Sequence, residues 1–223
     1  EEVCISRDII LCKHIGTRLH IAHVSTKASV ELVRRAKAEG VHVTAEAAPH
    51  HFTLTDTLIG KEFNTNLKMM PPLRTQDDVD AIIAGLMDGT IDAIASDHAP
   101  HSSEEKEVEF DQAPNGIIGL ETTVGLVATF LVRPGHLTWN DIARKLSNHP
   151  ARILKISGGE LKAGKVADIT IIDPKASWTV RVDKFASKSR NSPYDGWKLH
   201  GKVRYTILGG VVRQEAEPDP RAL

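Results

Sequence analysis

The apolar positions of the first hundred residues alternate between short continuous runs and helical stripes. Residues 18–24, RLHIAHV, read as a short strand. A helix follows at about 27–39: Val30, Val33 and Ala36 share a face, Glu31 precedes Arg35 by one turn, and Gly40 marks the stop. Residues 42–48, HVTAEAA, read as a second strand. The clearest helix is 75–88, where Thr75 and Asp78 form a capping-box signature. Val79, Ile82, Ile83, Leu86 and Met87 then keep the helical period until Gly89. IDAIASD, 91–97, is a third strand, apolar until its last residue, as parallel strands buried on both faces are. Strand, helix, strand, helix, strand argues for a parallel sheet with crossover helices. LETTVGLVATFLV, 120–132, is apolar nearly all round and predicts a buried helix. LTWNDIARKLS, 137–147, predicts another, capped by Thr138 with Asp141 three residues on.

Beyond about 157 the texture changes. SGGELKAGKVADITIID leads through Gly-rich turns into a strand at 168–173, ASWTVRV adds another, and KVRYTILGGVVRQ predicts a hairpin turning at Gly-Gly. The expected organisation is an α/β unit over 1–156 and a small β-rich unit over 157–223, with EAEPDPRAL as a frayed tail and no internal repeat. The opening, EEVCISRDIILCKHIG, has neither an initiator Met nor a signal-peptide pattern. Its Val3, Ile5, Ile9, Ile10 and Leu11 suggest a helix already under way, so the sequence reads as one entered part-way.

Composition narrows the classes of function. Of 223 residues, 41% are hydrophobic and 26% charged, an ordinary globular balance. A net charge of −1 points away from nucleic acid and anionic membranes, and no apolar run approaches the roughly 18 residues of a membrane span. Cys4 and Cys12 form no C-x-x-C pattern and read as reduced thiols on a helix, which suits a cytoplasmic protein. The eleven histidines, several near strand ends, make metal chemistry worth testing.

The candidate residues sit at the carboxyl ends of strands, where α/β proteins place their chemistry. His20 and His23 are three apart, so along a strand they face opposite sides, and His23 is nearer the carboxyl end. Taken alone, His23 is more readily a strand-end histidine bonded to backbone than a ligand. Asp97 ends the third strand, and an ionised Asp there is a turn cap or a metal ligand. One carboxylate and one imidazole from separate strand ends would suit a divalent metal such as zinc. His98 faces the other way and reads as structural, while His101 lies in a loop beyond Pro100. His50 and His51 follow Pro49 after the second strand and read as two loop histidines, or else one of them lines the same mouth; His14, His42, His136, His149 and His200 read as surface or packing residues. Pro71 and Pro72 stiffen LKMMPPLR, whose Lys68 and Arg74 are either anion contacts or surface cations. Asn115 and Gly116 lie in a loop where glycine allows either a close approach to a ligand or only a turn.

Taken together and in order, HIAHVSTKASVELVRRAKAEGVHVTAEAAPHHFTLT, KMMPPLR, IASDHAPHSSEEK, APNGIIGLET, NHPARIL, GELKAGKVADITIID and KSRNSPYDGWKLHGKV resemble the dihydroorotase branch of the cyclic amidohydrolases. The resemblance covers nearly the whole chain. It implies the C-terminal part of a (β/α)₈ metal-dependent hydrolase barrel, about its last three strands, beside a small β-rich sandwich domain. It also implies interconversion of N-carbamoyl-L-aspartate and L-dihydroorotate in pyrimidine synthesis, with two zinc ions. His23 matches a metal ligand, and Asp97 a ligand that also serves as catalytic acid and base. His101, Asn115 and Gly116 match substrate contacts. Met70 stands where the family has an Asn. The family's H-x-H-x-R, its bridging Lys or Asp and a further His lie upstream of this sequence. The 156 residues before the β-rich unit are fewer than the about 250 of a complete barrel. The expected partners are the small-molecule substrate, a second copy in a homodimer, and aspartate transcarbamoylase. Related readings are another cyclic amidase (an allantoinase, or a dihydropyrimidinase or hydantoinase) and an inactive structural partner of aspartate transcarbamoylase.

Overall fold

The computed structural model describes residues 1–215, so all but the first residue of the EAEPDPRAL tail lies outside the described residues. The chain opens with α1, Glu2–Ile15, which stops at Gly16 in the left-handed conformation, its N–H closing onto the Cys12 carbonyl. Then come β1 (Leu19–Ile21), α2 (Lys27–Ala38), β2 (Val43–Ala47), the single turn α3 (His50–Thr53), α4 (Gln76–Asp88) and β3 (Ala93–Ile94). The strands form one parallel sheet in the order β1-β2-β3. Helices α2 and α4 form where the periodicity put them. Thr26 caps α2, and Thr75 with Asp78 caps α4 in the expected box. Each cap satisfies backbone donors that the first turn leaves without intrahelical partners.

The strands are shorter than the apolar runs suggested, for a local reason. His23 and Asp97 both have positive φ, 54° and 45°, and that conformation takes the chain out of the ladder. In β2, Val43, Ala45 and Ala47 are buried, while Thr44 and Glu46 are only partly covered. Val43 and Ala45 join Val30, Val33, Ile82, Leu86 and Ile91 in the first hydrophobic core. The opposite face of the sheet carries polar side chains, with His20 paired in register with Thr44.

After β3, α5 (Ser103–Lys106) is a short turn of helix. α6 (Thr123–Val127) runs on as a π-helical turn to Val132. α7 (Trp139–Ala143) likewise passes through a π turn at Arg144–Asn148 into α8 (His149–Leu154), so helix continues well past the expected stop at 147. The second sheet is antiparallel, β4 (Ile169–Thr179), β5 (Lys198–Leu208) and β6 (Val211–Glu215). The segments expected as two strands are one bulged strand. Its register slips between Asp173 and Ser177, where Pro174 has no N–H to give and the Asp173 carboxylate takes the N–H groups of Lys175 and Ala176. Gly209 and Gly210 both have positive φ and turn the β5–β6 hairpin as expected.

A second core joins the two sheets' surroundings. Leu54, Leu67, Met69, Leu73, Ile117, Ile118 and Leu126 pack with Val180, Val182, Tyr194 and Leu199. It draws residues from both sides of position 157, so the loops after β2 and β3 rest on the β-rich unit. Among the described residues no helix is long and apolar enough to cross a membrane.

Candidate metal centre and its neighbouring loops

Four side chains converge beyond the carboxyl ends of the parallel strands. His23 Nε2 lies 3.6 Å from one oxygen of Asp97, and His50 Nε2 lies 3.6 Å from the other. His23 Nδ1 lies 3.2 Å from Glu46 Oε1. That contact is close but not aligned as a hydrogen bond, since Nδ1 is buried without a hydrogen-bond partner. His20 Nε2 meets the other Glu46 oxygen at 3.1 Å, and His20 Nδ1 meets Thr44 Oγ1 at 2.8 Å. A continuous polar chain therefore runs Thr44, His20, Glu46, His23, Asp97, His50.

Strict alternation would have put His20 and His23 on opposite faces. Both reach Glu46 instead, because β1 ends at Ile21 and His23 turns with φ 54°. Positive φ costs an ordinary residue about 1–3 kcal/mol and gathers at functional sites. His23 and Asp97 are two of four non-glycine residues in that state among the described residues. His50 corrects the reading of two loop histidines: Pro49 starts the turn of α3, which carries His50 inward until it is 1% exposed. Burial, then the charges of His51 and His23, push the His50 imidazole well below its usual pKa. Burial also lowers His51, opposed by its hydrogen bond to the Pro71 carbonyl. Both shifts favour the neutral ring, the form that offers a lone pair.

The donors fit a divalent cation in kind and spacing. Two ligands of one tetrahedral zinc, at about 2.0–2.1 Å each, stand roughly 3.4 Å apart. The His23–Asp97 pair is near that at 3.6 Å. Among the described residues no group of three or more His, Cys, Asp or Glu side chains is arranged to hold a metal, so the pair alone would fill only part of a shell.

The other candidate residues lie on two neighbouring loops. The chain from His98 runs beside Ile117 through an isolated β-bridge, and the Ala99 N–H donates to the Ile117 carbonyl. His98 is structural, as expected: its Nδ1 accepts from the Gly119 N–H. His101 Nε2 stands 3.0 Å from the Asn115 carbonyl, which brings His101, Asn115 and Gly116 together. Gly116 has φ +104°, and a Cβ there would stand 2.5 Å from the Ala99 methyl. Its close approach is thus to the Asp97–His101 loop. Met70 is exposed beside the buried Met69.

Lys68 and Arg74 are committed to the protein. Lys68 Nζ donates to the carbonyls of Asp111 and Ala113, and Lys106 Nζ to those of Pro114 and Gly116. Two ammonium groups so tie down the loop that carries Asn115. Arg74 Nε donates to Ser25 Oγ, and its guanidinium lies 3.6 Å from the Glu1 carboxylate, which also bonds Ser25. Sequence reasoning passed over Glu46 and Asn191 and read His50 as a loop histidine. Glu46 had a signal, a carboxylate in an otherwise small apolar strand; Asn191 had none.

Comparison with known proteins fixes the family. The profile of the amidohydrolase family matches residues 8–213. The chain belongs to the amidohydrolase family. Among similar family members, a dihydroorotase of Pelotomaculum thermopropionicum is 56% identical over 216 residues, 96% of this chain and 50% of that protein. A dihydroorotase of Caldanaerobacter subterraneus subsp. tengcongensis is 54% identical over 215 residues, 96% of this chain and 49% of its own length. Of solved structures, an L-hydantoinase (dihydropyrimidinase) from Arthrobacter aurescens superposes with a TM-score of 0.91 at 31% identity, covering 97% of this chain and 49% of that one. The chain spans about half the length of the curated relatives it matches. The expected resemblance is therefore borne out, as is a mixed α/β amidohydrolase fold.

Proposed function

We propose that the whole protein is a zinc-dependent dihydroorotase, interconverting N-carbamoyl-L-aspartate and L-dihydroorotate in pyrimidine synthesis. The observation that carries this is the convergence of His23 and His50 on the two oxygens of Asp97 beyond the ends of parallel strands. Identities of 50–56% to dihydroorotases over nearly the whole chain support the choice of substrate. In this reading residues 1–156 contribute about three strands to a (β/α)₈ barrel, and 157–223 form a β-rich unit beside it.

His23 and Asp97 would hold zinc, within a centre of two ions. Zinc bound there would supply Lewis acidity, making water acidic enough to attack near neutral pH and drawing charge from the ring carbonyl. Asp97 takes the proton of the attacking water and delivers it to the ring nitrogen as the amide bond breaks. In the direction of cyclisation it accepts a proton from the carbamoyl nitrogen. His101, with its ring held on the Asn115 carbonyl, and the backbone at Asn115 and Gly116 orient the substrate. Met70 can offer no amide hydrogen bonds to the substrate's polar groups, which leaves recognition to these loops.

The hydantoinase-like structural neighbours and Met70 favour a second reading, a cyclic amidase of hydantoinase or allantoinase type. Zinc-loaded full-length protein, assayed on dihydroorotate, hydantoin, dihydrouracil and allantoin, separates them. Dihydroorotate is expected to give a kcat/KM at least a hundredfold above the others. Turnover of hydantoin or dihydrouracil without dihydroorotate would transfer the protein to the second reading. No turnover of any would favour an inactive structural partner.

A further inference from the structure

Asn191 stands 94 residues after Asp97, in a segment without helical or strand periodicity, yet it is only 4% exposed. Its side chain spends its hydrogen-bonding capacity on the two substrate-side loops. Nδ2 donates to the Ala99 carbonyl at 2.9 Å and to the Gly116 carbonyl at 3.2 Å, while Oδ1 accepts the His101 N–H at 3.3 Å. Its backbone carbonyl accepts the Ile118 N–H at 3.0 Å. The two loops pair directly at His98 and Ile117, and Asn191 bridges them again at Ala99, His101 and Gly116. Three residues on, the buried Tyr194 places its hydroxyl 2.7 Å from Thr53 Oγ1, on the α3 turn that carries His50.

We infer that Asn191 is a positioning residue, fixing the loop of Ala99 and His101 against the loop of Asn115 and Gly116 and thereby the distance between their contacts to substrate. The inference rests on the reading of those loops as the substrate side. Only a side-chain amide suits the place. Two carbonyls take donors here, that of Gly116 alongside Lys106 Nζ, and one N–H takes an acceptor, all at the reach of a two-carbon side chain. Aspartate keeps the shape but has no proton to give, and it sets a carboxylate against two carbonyl oxygens.

The test compares full-length protein with Asn191→Asp, Asn191→Ser and Thr138→Ala. Asn191→Ser serves where the carboxylate blocks folding, and Thr138→Ala removes a helix cap far from the loops as a stability control. The expected result for either Asn191 variant is a KM raised at least tenfold, kcat within fivefold, zinc content unchanged, and His101 amide exchange at least tenfold faster. Thr138→Ala is expected to change none of these. Asn191 variants with KM within twofold and His101 protected as before would overturn the inference, and so would an equal KM rise in Thr138→Ala. Should the unaltered protein leave dihydroorotate untouched, the proposed function fails by itself. Faster His101 exchange in the variants would then still support loop positioning, and unchanged exchange would still overturn it.

Discussion

Gly116→Ala tests how tightly the loop of His101 and the loop of Asn115 are joined. The glycine sits at φ +104°, where an L side chain is strained by about 1–3 kcal/mol. Its new methyl would stand 2.5 Å from the Ala99 Cβ, well inside the about 3.5–4.0 Å of an ordinary carbon contact. The loop has little room to retreat. Lys68 holds the carbonyls of Asp111 and Ala113, Lys106 those of Pro114 and Gly116, and Asn191 also takes that of Gly116. Forcing a methylene-sized group into such packing costs about 1–3 kcal/mol more. The expected loss is therefore about 2–6 kcal/mol, read by equilibrium urea unfolding. Removing the opposing methyl separates the two causes. The Ala99→Gly, Gly116→Ala double variant should be more stable than the sum of the single losses by about 1–3 kcal/mol, the share due to the clash. A Gly116→Ala cost below about 0.5 kcal/mol, the range of a neutral surface change, would refute the packing argument. Strict additivity in the double variant would refute the assignment to Ala99.

Three further outcomes are expected. Glu46→Ala removes the carboxylate between His20 and His23, and zinc affinity measured by competition with a chelating dye should fall about 10–100-fold, as when the partner of a ligating histidine is lost; unchanged affinity would remove Glu46 from the site. Burial, then the charge of Lys68, lowers the Lys106 ammonium from its usual 10.5 to about 8. Between those values the unfolded chain holds a proton that the folded protein has shed, so this group's contribution to stability rises with pH across the window. Carbon NMR of the Lys106 ε-methylene should show a midpoint near 8, and one above 10 would contradict the burial argument. Tyr194→Phe leaves Thr53 Oγ1 its bond to the Pro49 carbonyl and should cost about 0.5–1.5 kcal/mol in urea unfolding, whereas no loss would mean that the hydroxyl contact contributes nothing.

What the sequence discloses depends on how local the cause is. Helices α2 and α4 were legible because caps and periodicity act within a few residues: Thr75 and Asp78 sit beside the turn they satisfy, and Val30, Val33 and Ala36 share one buried face. Gly209 and Gly210 announced their hairpin for the same reason. The rule of alternation failed at His20 and His23, because the backbone leaves the strand conformation at His23. Local rules are broken where function demands a strained placement. Asp173 illustrates a milder case: a side chain bonding its own backbone turned two expected strands into one with a bulge. Asn191 was out of reach altogether. Its partners are Ala99, His101 and Gly116, and nothing in its neighbours' polarity marks a contact so distant in sequence. Glu46 lay between, visible as a carboxylate in a buried strand but without meaning until His20 and His23 were seen to meet it.

The most direct test is steady-state hydrolysis of dihydroorotate by zinc-loaded full-length protein and its Asp97→Asn variant, with zinc content measured on both. Asparagine keeps the size and tolerates the positive φ of this position, but it cannot carry the proton. General acid–base catalysis contributes about 10²–10⁴-fold, so kcat should fall by at least about a hundredfold while the fold, read by circular dichroism, is unchanged. A variant that retains kcat within tenfold would contradict the assignment of Asp97 as the proton carrier.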